Sequence, residues 1–297
     1  MNLSVLILSY NHAPHIAQAV ASVVAQRDYA GPIELLILDD GSTDGTQAIL
    51  QGLQMPDGVT LRLFLHEHKG VHAIAANFNF LIDAASGRYL AFLASDDFYS
   101  PHAFRDQIAA MDADLAVQLV YGNGVNVLNG EQLGKLHTGP VRDALASADP
   151  ARVCAAITAA VPQLYIQALV ARKRFFDDFA PFDEALIADD WAFNIRVFQR
   201  LRDRRLAYRY HDGITFQRRL LAGSTSNNLS VHFHRILQVA RKYIPDNDPV
   251  FFTYFYVRYA KLFVRRRMLR QLADVAWRLL RLKTGATEHS RGLERLL

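Results

Sequence analysis

The chain has 297 residues, 51% of them hydrophobic and 21% charged, which excludes a disordered protein and allows one large core with an appendage or two modest domains. Its one cysteine, Cys154, excludes an internal disulfide, and neither a Cys/His metal cluster nor a paired-cysteine redox motif is present. The net charge of +4 is unevenly placed: residues 228–297 carry 14 Lys and Arg against 5 Asp and Glu, leaving −5 for residues 1–227.

A reducing, cytosolic setting is expected, since Met1 and Asn2 precede the apolar run Leu3 to Leu8 without the charged start or cleavage site of a signal peptide. No window of about 18 uncharged apolar residues occurs, so no transmembrane helix is expected. The first 125 residues alternate between short β-rich runs and helical stretches, the pattern of an α/β unit with a mostly parallel central sheet. The expected strands are Leu3 to Ser9, Ile33 to Leu38, Val59 to Leu65, Tyr89 to Leu93 and Ala116 to Tyr121. Helices are expected near His15 to Gln26, Thr46 to Gly52, Ala73 to Ala85 and Pro101 to Met111, with caps among Ser42 to Asp44 for the second and Ser100 for the fourth. Residues 126–165, punctuated by glycines and prolines, read as an irregular loop region on an acceptor side. From Ala168 to Val197 the order is apolar run, basic turn, acidic turn and helix, and Val231 to Leu282 read as two or more helices interrupted near Pro245 to Pro249.

Three carboxylate clusters carry the chemistry. Asp39-Asp40-Gly41-Ser42-Thr43-Asp44 follows a buried-type strand, where acidic side chains either accept hydrogen bonds from a ligand or shape a polar turn, a cap role suiting Asp44. Ser95-Asp96-Asp97 also follows a strand; adjacent carboxylates repel unless a cation or ligand hydroxyl intervenes, and hard oxygen ligands suit Mg²⁺ or Mn²⁺ bridging phosphate oxygens. Asp189-Asp190-Trp191 opens a helix, where a carboxylate is electrostatically favoured and reads equally as an N-cap.

Together with Val5-Leu6-Ile7-Leu8-Ser9-Tyr10-Asn11, Ala84-Ala85-Ser86-Gly87-Arg88-Tyr89 and Phe182-Asp183-Glu184, these clusters resemble the family 2 glycosyltransferases across most of residues 3–227. The resemblance implies a GT-A type, Rossmann-like nucleotide-diphospho-sugar transferase fold over residues 1–227, divided into a nucleotide-binding half (1–125) and an acceptor half (126–227), with a basic helical extension at 228–297. It also implies inverting transfer from a nucleotide-sugar donor, a UDP-sugar favoured, to a saccharide or lipid-linked saccharide acceptor in cell-surface polysaccharide or lipopolysaccharide assembly. By the same resemblance Asp40 and Asp39 read the base with Tyr10 lining its pocket, Asp96 lies near the ribose, Asp97 binds a divalent cation (Mn²⁺ or Mg²⁺) and Asp190 is the catalytic base. Gln217 to Ser226 resembles a loop over the donor phosphates, with Arg218 or Arg219 as a charge clamp.

The chain departs from the family pattern at Ala94, where many relatives are acidic, at Ala76, where many carry Arg, and after Arg219, where many carry His. The departures bear on the phosphate contacts and keep a second reading in view, a catalytically degenerate GT-A protein that binds nucleotide sugars or serves as a scaffold. In the tail, Arg258, Lys261 and Arg265 share one helical face, so the expected partner is an anionic membrane, met peripherally at the inner face of the cytoplasmic membrane. A packed helical cap with a solvated basic face is the alternative there, and nucleic acid is not expected because no reader motif accompanies the charge.

Overall fold

The computed structural model describes residues 2–26, 31–187, 190–221, 229–245 and 248–284. The chain divides into two compact units, Met1–Ser224 and Thr225–Leu297.

The first unit opens with three βα steps and a fourth strand: β1 (Leu3–Ser9), α1 (Ala13–Val24), β2 (Ile33–Asp39), α2 (Thr46–Gln51), β3 (Val59–Leu65), α3 (Ala73–Ala84) and β4 (Tyr89–Ala94). β1 and β2 are buried at nearly every position, the continuous apolar run of a strand covered on both faces. Parallel pairing aligns their ends. Ser9 lies opposite Asp39, Asp39 opposite Leu65, and Leu8 opposite Ala94, so the residues that follow β1, β2 and β4 emerge along one edge.

The chain continues through β5 (Phe98–Tyr99), α4 (Arg105–Ala113), β6 (Val117–Leu128), β7 (Glu131–Lys135), α5 (Gly139–Ala146), α6 (Pro150–Ala159), β8 (Leu169–Arg172), α7 (Asp190–Asp203) and β9 (Ala207–Arg219). Among the described residues these strands complete a nine-stranded sheet of order β3-β2-β1-β4-β8-β6-β9-β5, with β7 paired to β6. The β3-β2-β1-β4 half is parallel; β8 runs antiparallel to β4 and β6, and β6 and β9 are parallel. All five expected strands are present, and the expected helices are found within a few residues.

Three local expectations need correction. Residues 126–165 are largely regular, holding the end of β6, β7, α5 and α6. Asn129 and Gly130 both take positive φ and turn a hairpin, but β7 is exposed at every position and carries no apolar alternation to announce it. Ser100 caps no helix: α4 starts only at Arg105, while the Ser100 amide donates to the Thr215 carbonyl at 2.9 Å and fastens β5 to β9. The segment expected as a phosphate loop begins as strand, since Gln217, Arg218 and Arg219 end β9; residues 222–228 lie outside the described residues.

A polar clasp closes the opposite edge of the sheet. Buried Glu34 accepts from the Ser4 hydroxyl at 2.5 Å, the Ser86 amide at 2.8 Å and Arg62 at 3.0 Å, and the Gly87 amide donates to Ser4 Oγ at 2.8 Å. A Cβ on Gly87 would stand 2.6 Å from Ser4 N and Oγ, so only glycine fits. The Ser86-Gly87 pair of the family-like motif is therefore part of the fold's framework.

The second unit consists, among the described residues, of α8 (Leu229–Tyr243), α9 (Pro249–Arg265) and α10 (Leu269–Thr284). Asp248 caps α9 by accepting from the Phe251 amide at 2.9 Å, and Phe233 of α8 meets Phe255, Tyr259 and Phe263 of α9 in an aromatic cluster with centroids 4.9–5.6 Å apart.

Candidate active site

At the tip of β2 the two aspartates have different partners. Asp39 accepts from the Ser42 amide (2.8 Å), the Ser42 hydroxyl (2.6 Å) and Gln47 (2.8 Å), which shapes the turn. Asp40 faces His68 Nδ1 at 2.7 Å and accepts from Asn77 Nδ2 at 3.1 Å. Gly41 takes φ +74°, and a Cβ there would lie 2.5 Å from the His68 backbone nitrogen, so glycine lets the β3–α3 loop close on Asp40. Tyr10, 41% exposed, stacks on the His68 ring at 4.1 Å and 8°. Aromatic faces and a carboxylate thus meet at one strand tip.

The loop after β1 joins this corner to the next. The Asn11 amide donates to Ser42 Oγ at 2.7 Å, the His12 amide to Thr46 Oγ1 at 3.0 Å, and His12 Nδ1 lies 2.6 Å from Ser95 Oγ. Asp44 holds both helix starts, accepting from the Ala13 amide and the Thr46 amide at 3.0 Å each, while Gly45 occupies the cap position of α2.

Past β4, Asp97 is buried, with Oδ1 accepting from the Arg219 amide at 2.8 Å and Oδ2 from Gln167 at 3.1 Å. The Arg219 side chain donates to the Asp96 carbonyl at 2.8 Å and to Gln18 at 2.9 Å. Arg218 donates to Asn126 at 3.3 Å and lies over the Tyr165 ring at 5.1 Å. Burial, and then the charge of Asp96, push the Asp97 carboxyl well above the usual carboxylate range; Asp190 acts in the same direction, and the Arg219 amide and Arg218 oppose it. Asp190 is therefore within electrostatic reach of the Asp96–Asp97 pair.

Asp190 is the first residue of α7, and the next turn of that helix anchors it. Asn194 donates to the Asp190 carbonyl at 2.6 Å and to the Leu164 carbonyl at 3.0 Å, and accepts from the Tyr121 hydroxyl. Trp191 is buried and donates to the Ile157 carbonyl at 2.7 Å. Asp189 lies outside the described residues.

The structure thus gathers Asp96, Asp97, Asp190, Arg218 and Arg219 into one corner and Tyr10, Asp39 and Asp40 into the neighbouring one. Sequence reasoning missed His68, Asn77, Gln167, Tyr121 and Asn194. For His68 a signal existed: β3 pairs parallel with β2, so the loop leaving β3 must pass the tip that carries Asp40.

Among the described residues no set of three or more His, Cys, Asp or Glu side chains is arranged to hold a metal ion alone. The donor set still suits a hard divalent cation that shares its coordination with phosphate oxygens. Each Asp97 oxygen accepts one protein hydrogen bond and keeps a second lone pair, and the charges of Asp96 and Asp190 make the corner acidic.

Residues 4–154 match the family described as Glycosyl transferase family 2. The chain belongs to this family. Among curated members of similar sequence, an uncharacterised glycosyltransferase of Nostoc sp. is 36% identical over 104 residues, covering 34% of this chain and 30% of that protein. TuaG of Bacillus subtilis, named as a candidate teichuronic acid biosynthesis glycosyltransferase, is 38% identical over 110 residues, covering 37% and 41%. These matches span well under half of each relative's length. Among solved structures, S. aureus TarS residues 1–349, also seen with UDP-GlcNAc, aligns at TM-score 0.58 and 15% identity over 97% of this chain and 93% of that one. The Pyrobaculum calidifontis mannosyltransferase PcManGT, in complex with GDP-Man and Mn²⁺, aligns at TM-score 0.58 and 15% identity over 96% and 76%. The family's GT-A type α/β fold is thereby shown, with the helices of the second unit appended to it.

Proposed function

We propose that this family 2 chain is an inverting glycosyltransferase that moves a sugar from a UDP-sugar to an acceptor hydroxyl, with residues 1–227 as the catalytic domain. The observation that carries this reading is the convergence of Asp97, Asp190 and Arg219 beside a second corner where a carboxylate, Asp40, stands next to stacked aromatic rings. In this reading Tyr10 stacks on the nucleobase, Asp40 and Asp39 accept its polar hydrogens, and Asp96 faces the ribose. Asp97 is the carboxylate that would hold a divalent cation, Mn²⁺ or Mg²⁺, whose charge neutralises the leaving diphosphate. Arg218 and Arg219 add fixed positive charge on the same side. Asp190 takes the proton of the acceptor hydroxyl as that oxygen attacks the anomeric carbon from the face opposite the diphosphate, so one displacement inverts the centre.

The acceptor is a saccharide or a lipid-linked saccharide, in cell-surface polysaccharide or lipopolysaccharide assembly; the teichuronic acid biosynthesis for which TuaG is named supports that setting. Among the described residues no helix is long and apolar enough to cross a membrane. Contact with an anionic bilayer at the inner face of the cytoplasmic membrane is instead assigned to α9 and α10. There Tyr254, Val257, Val264 and Leu280 are exposed among Arg258, Lys261 and Arg265.

The test is thermal stabilisation by UDP, GDP and dTDP with and without Mn²⁺, because a ligand that binds the folded state raises its stability. A Mn²⁺-dependent shift with UDP, lost in Asp97→Ala and kept in Asp190→Ala, is the expected result. Folded protein that responds to none of the three nucleotides would mean a degenerate scaffold instead.

A further inference from the structure

Resting on the reading of Asp190 as the base, we infer that Tyr121 and Asn194 are positioning residues, a buried pair that sets Asp190 relative to Asp97. Both side chains are fully buried, Tyr121 on the interior strand β6 and Asn194 one turn into α7. A buried amide and a buried phenol are costly in a helix–sheet interface that apolar side chains could fill, and they are tolerated only when every polar group is satisfied. Here the accounting is complete for Asn194. Its oxygen accepts from the Tyr121 hydroxyl, and its two N–H groups go to the carbonyls of Leu164 and Asp190.

The choice of partners gives the pair its role. The Asp190 carbonyl belongs to the first helical residue, so the bond restrains that residue's ψ and with it the placement of its Cβ. Leu164 lies three residues before Gln167, which donates to Asp97 Oδ2 at 3.1 Å. One amide therefore ties the base to the segment whose Gln167 bonds the metal-side carboxylate, and Tyr121 orients that amide from β6, a strand paired on both sides. The Asp190 charge also reaches the Tyr121 phenol, which burial foremost holds well above its ordinary value and so keeps as a donor. A base displaced by even about 1 Å loses much of its advantage, on the order of a hundredfold in rate.

The experiment compares Tyr121→Phe and Asn194→Ala with Gln107→Met. Gln107 is a similarly buried amide on α4 whose hydrogen bonds go to the Val120 and Ala168 carbonyls rather than to Asp190 or Asn194. Two readouts are taken: UDP release from a UDP-sugar with water as acceptor, and amide hydrogen exchange over residues 190–194. In the first, the water oxygen bonds to the anomeric carbon, the bond to the diphosphate breaks, and the proton passes to Asp190. Tyr121→Phe should lower kcat by about tenfold or more with the KM for the UDP-sugar within about twofold. It should also speed exchange at 190–194, whereas Gln107→Met, at a similar loss of Tm, should do neither. Unchanged exchange and kcat in Tyr121→Phe, or equal losses in Gln107→Met, would overturn the inference. Asp190→Asn separates the readings: if it is inactive while Tyr121→Phe matches the parent protein, the base assignment survives and the positioning pair does not.

Discussion

The backbone amide of Arg219 donates to Asp97 Oδ1 at 2.8 Å, so the last residue of β9 pins the carboxylate that follows β4. Because the amide makes this bond, Arg219→Ala leaves Asp97 in place and removes the guanidinium contacts to the Asp96 carbonyl, Gln18 and the Phe98 ring. Affinity for UDP with Mn²⁺ should fall about tenfold, in line with loss of one charge-assisted contact, while the fold loses only about 1 kcal/mol. Calorimetric titration alongside urea unfolding measures both. A variant that binds UDP as tightly as the parent would remove Arg219 from the phosphate side.

The base corner makes a separate claim. Tyr10→Ala and His68→Ala each remove one face of a 4.1 Å stack, and loss of base stacking typically costs about 1–3 kcal/mol. Weaker binding is expected for UDP and not for Mn²⁺-pyrophosphate, which has no base. Equal weakening of both ligands would show that the rings act on the phosphates or on the fold.

Gly87→Ala should destabilise the protein by about 1–3 kcal/mol, because its Cβ would collide with Ser4 backbone and hydroxyl. Glu34, inside the same clasp, is subject to burial, which alone would raise its carboxyl. The hydrogen bonds from Ser4, Ser86 and Arg62 outweigh that and hold it below the ordinary range. A depressed folded-state pKa gives stability that is present above the unfolded value and is lost as pH falls. Glu34→Gln should therefore flatten the acid limb of a urea stability curve.

His137 also costs stability as the pH falls, for a different reason. It is fully buried, Nδ1 donates to the Gly122 carbonyl at 3.0 Å, Nε2 has no hydrogen-bond partner among the described residues, and burial pushes the imidazole down to about 4. The unfolded chain takes up this proton near pH 6.5 and the folded chain only near 4, so stability is complete above 6.5 and falls as the pH drops between the two values. The full effect is on the order of 3 kcal/mol. His137→Gln should bind about one proton fewer on unfolding at pH 5, read as a shallower dependence of the urea midpoint on pH.

Vesicle co-sedimentation tests the tail. Binding should be stronger to phosphatidylglycerol vesicles than to neutral ones, should weaken with salt, and should fall in Arg258→Glu/Arg265→Glu. The same sedimentation with neutral vesicles, or in the doubly substituted chain, would show that the basic face is simply solvated.

Much of this was legible in the sequence because the parallel half of the sheet is buried on both faces: runs such as Val5 to Leu8 and Leu35 to Leu38 have no other stable use. Asp40 and Asp97 stood out because acidic residues just after such runs emerge at strand tips, and Asp190 because it opens a helix. β7 was illegible, since an exposed two-stranded ribbon imposes no apolar period. Gln167, Tyr121 and Asn194 were hidden for a different reason. Each is polar in an apolar setting, and its partners are backbone carbonyls or residues far along the chain, so no local pattern marks it. Ser86 and Gly87 stood in a family-like motif and belong to the scaffold, a distinction that needed the Ser4 contact.

The clasp and the proposed reaction corner occupy opposite ends of the same strands: Glu34 is the second residue of the buried strand β2 that Asp39 ends, five residues or about 17 Å away. The two ends share no hydrogen-bond partner, Glu34 being bonded to Ser4, Ser86 and Arg62 and Asp39 to Ser42 and Gln47, and sites this far apart without shared partners act nearly additively. Protonation or substitution at one end is consequently almost silent at the other. On the proposed reading, the strand tips can be varied to alter which nucleotide or acceptor is taken, as a set of exchangeable fittings, while the far edge continues to specify the fold.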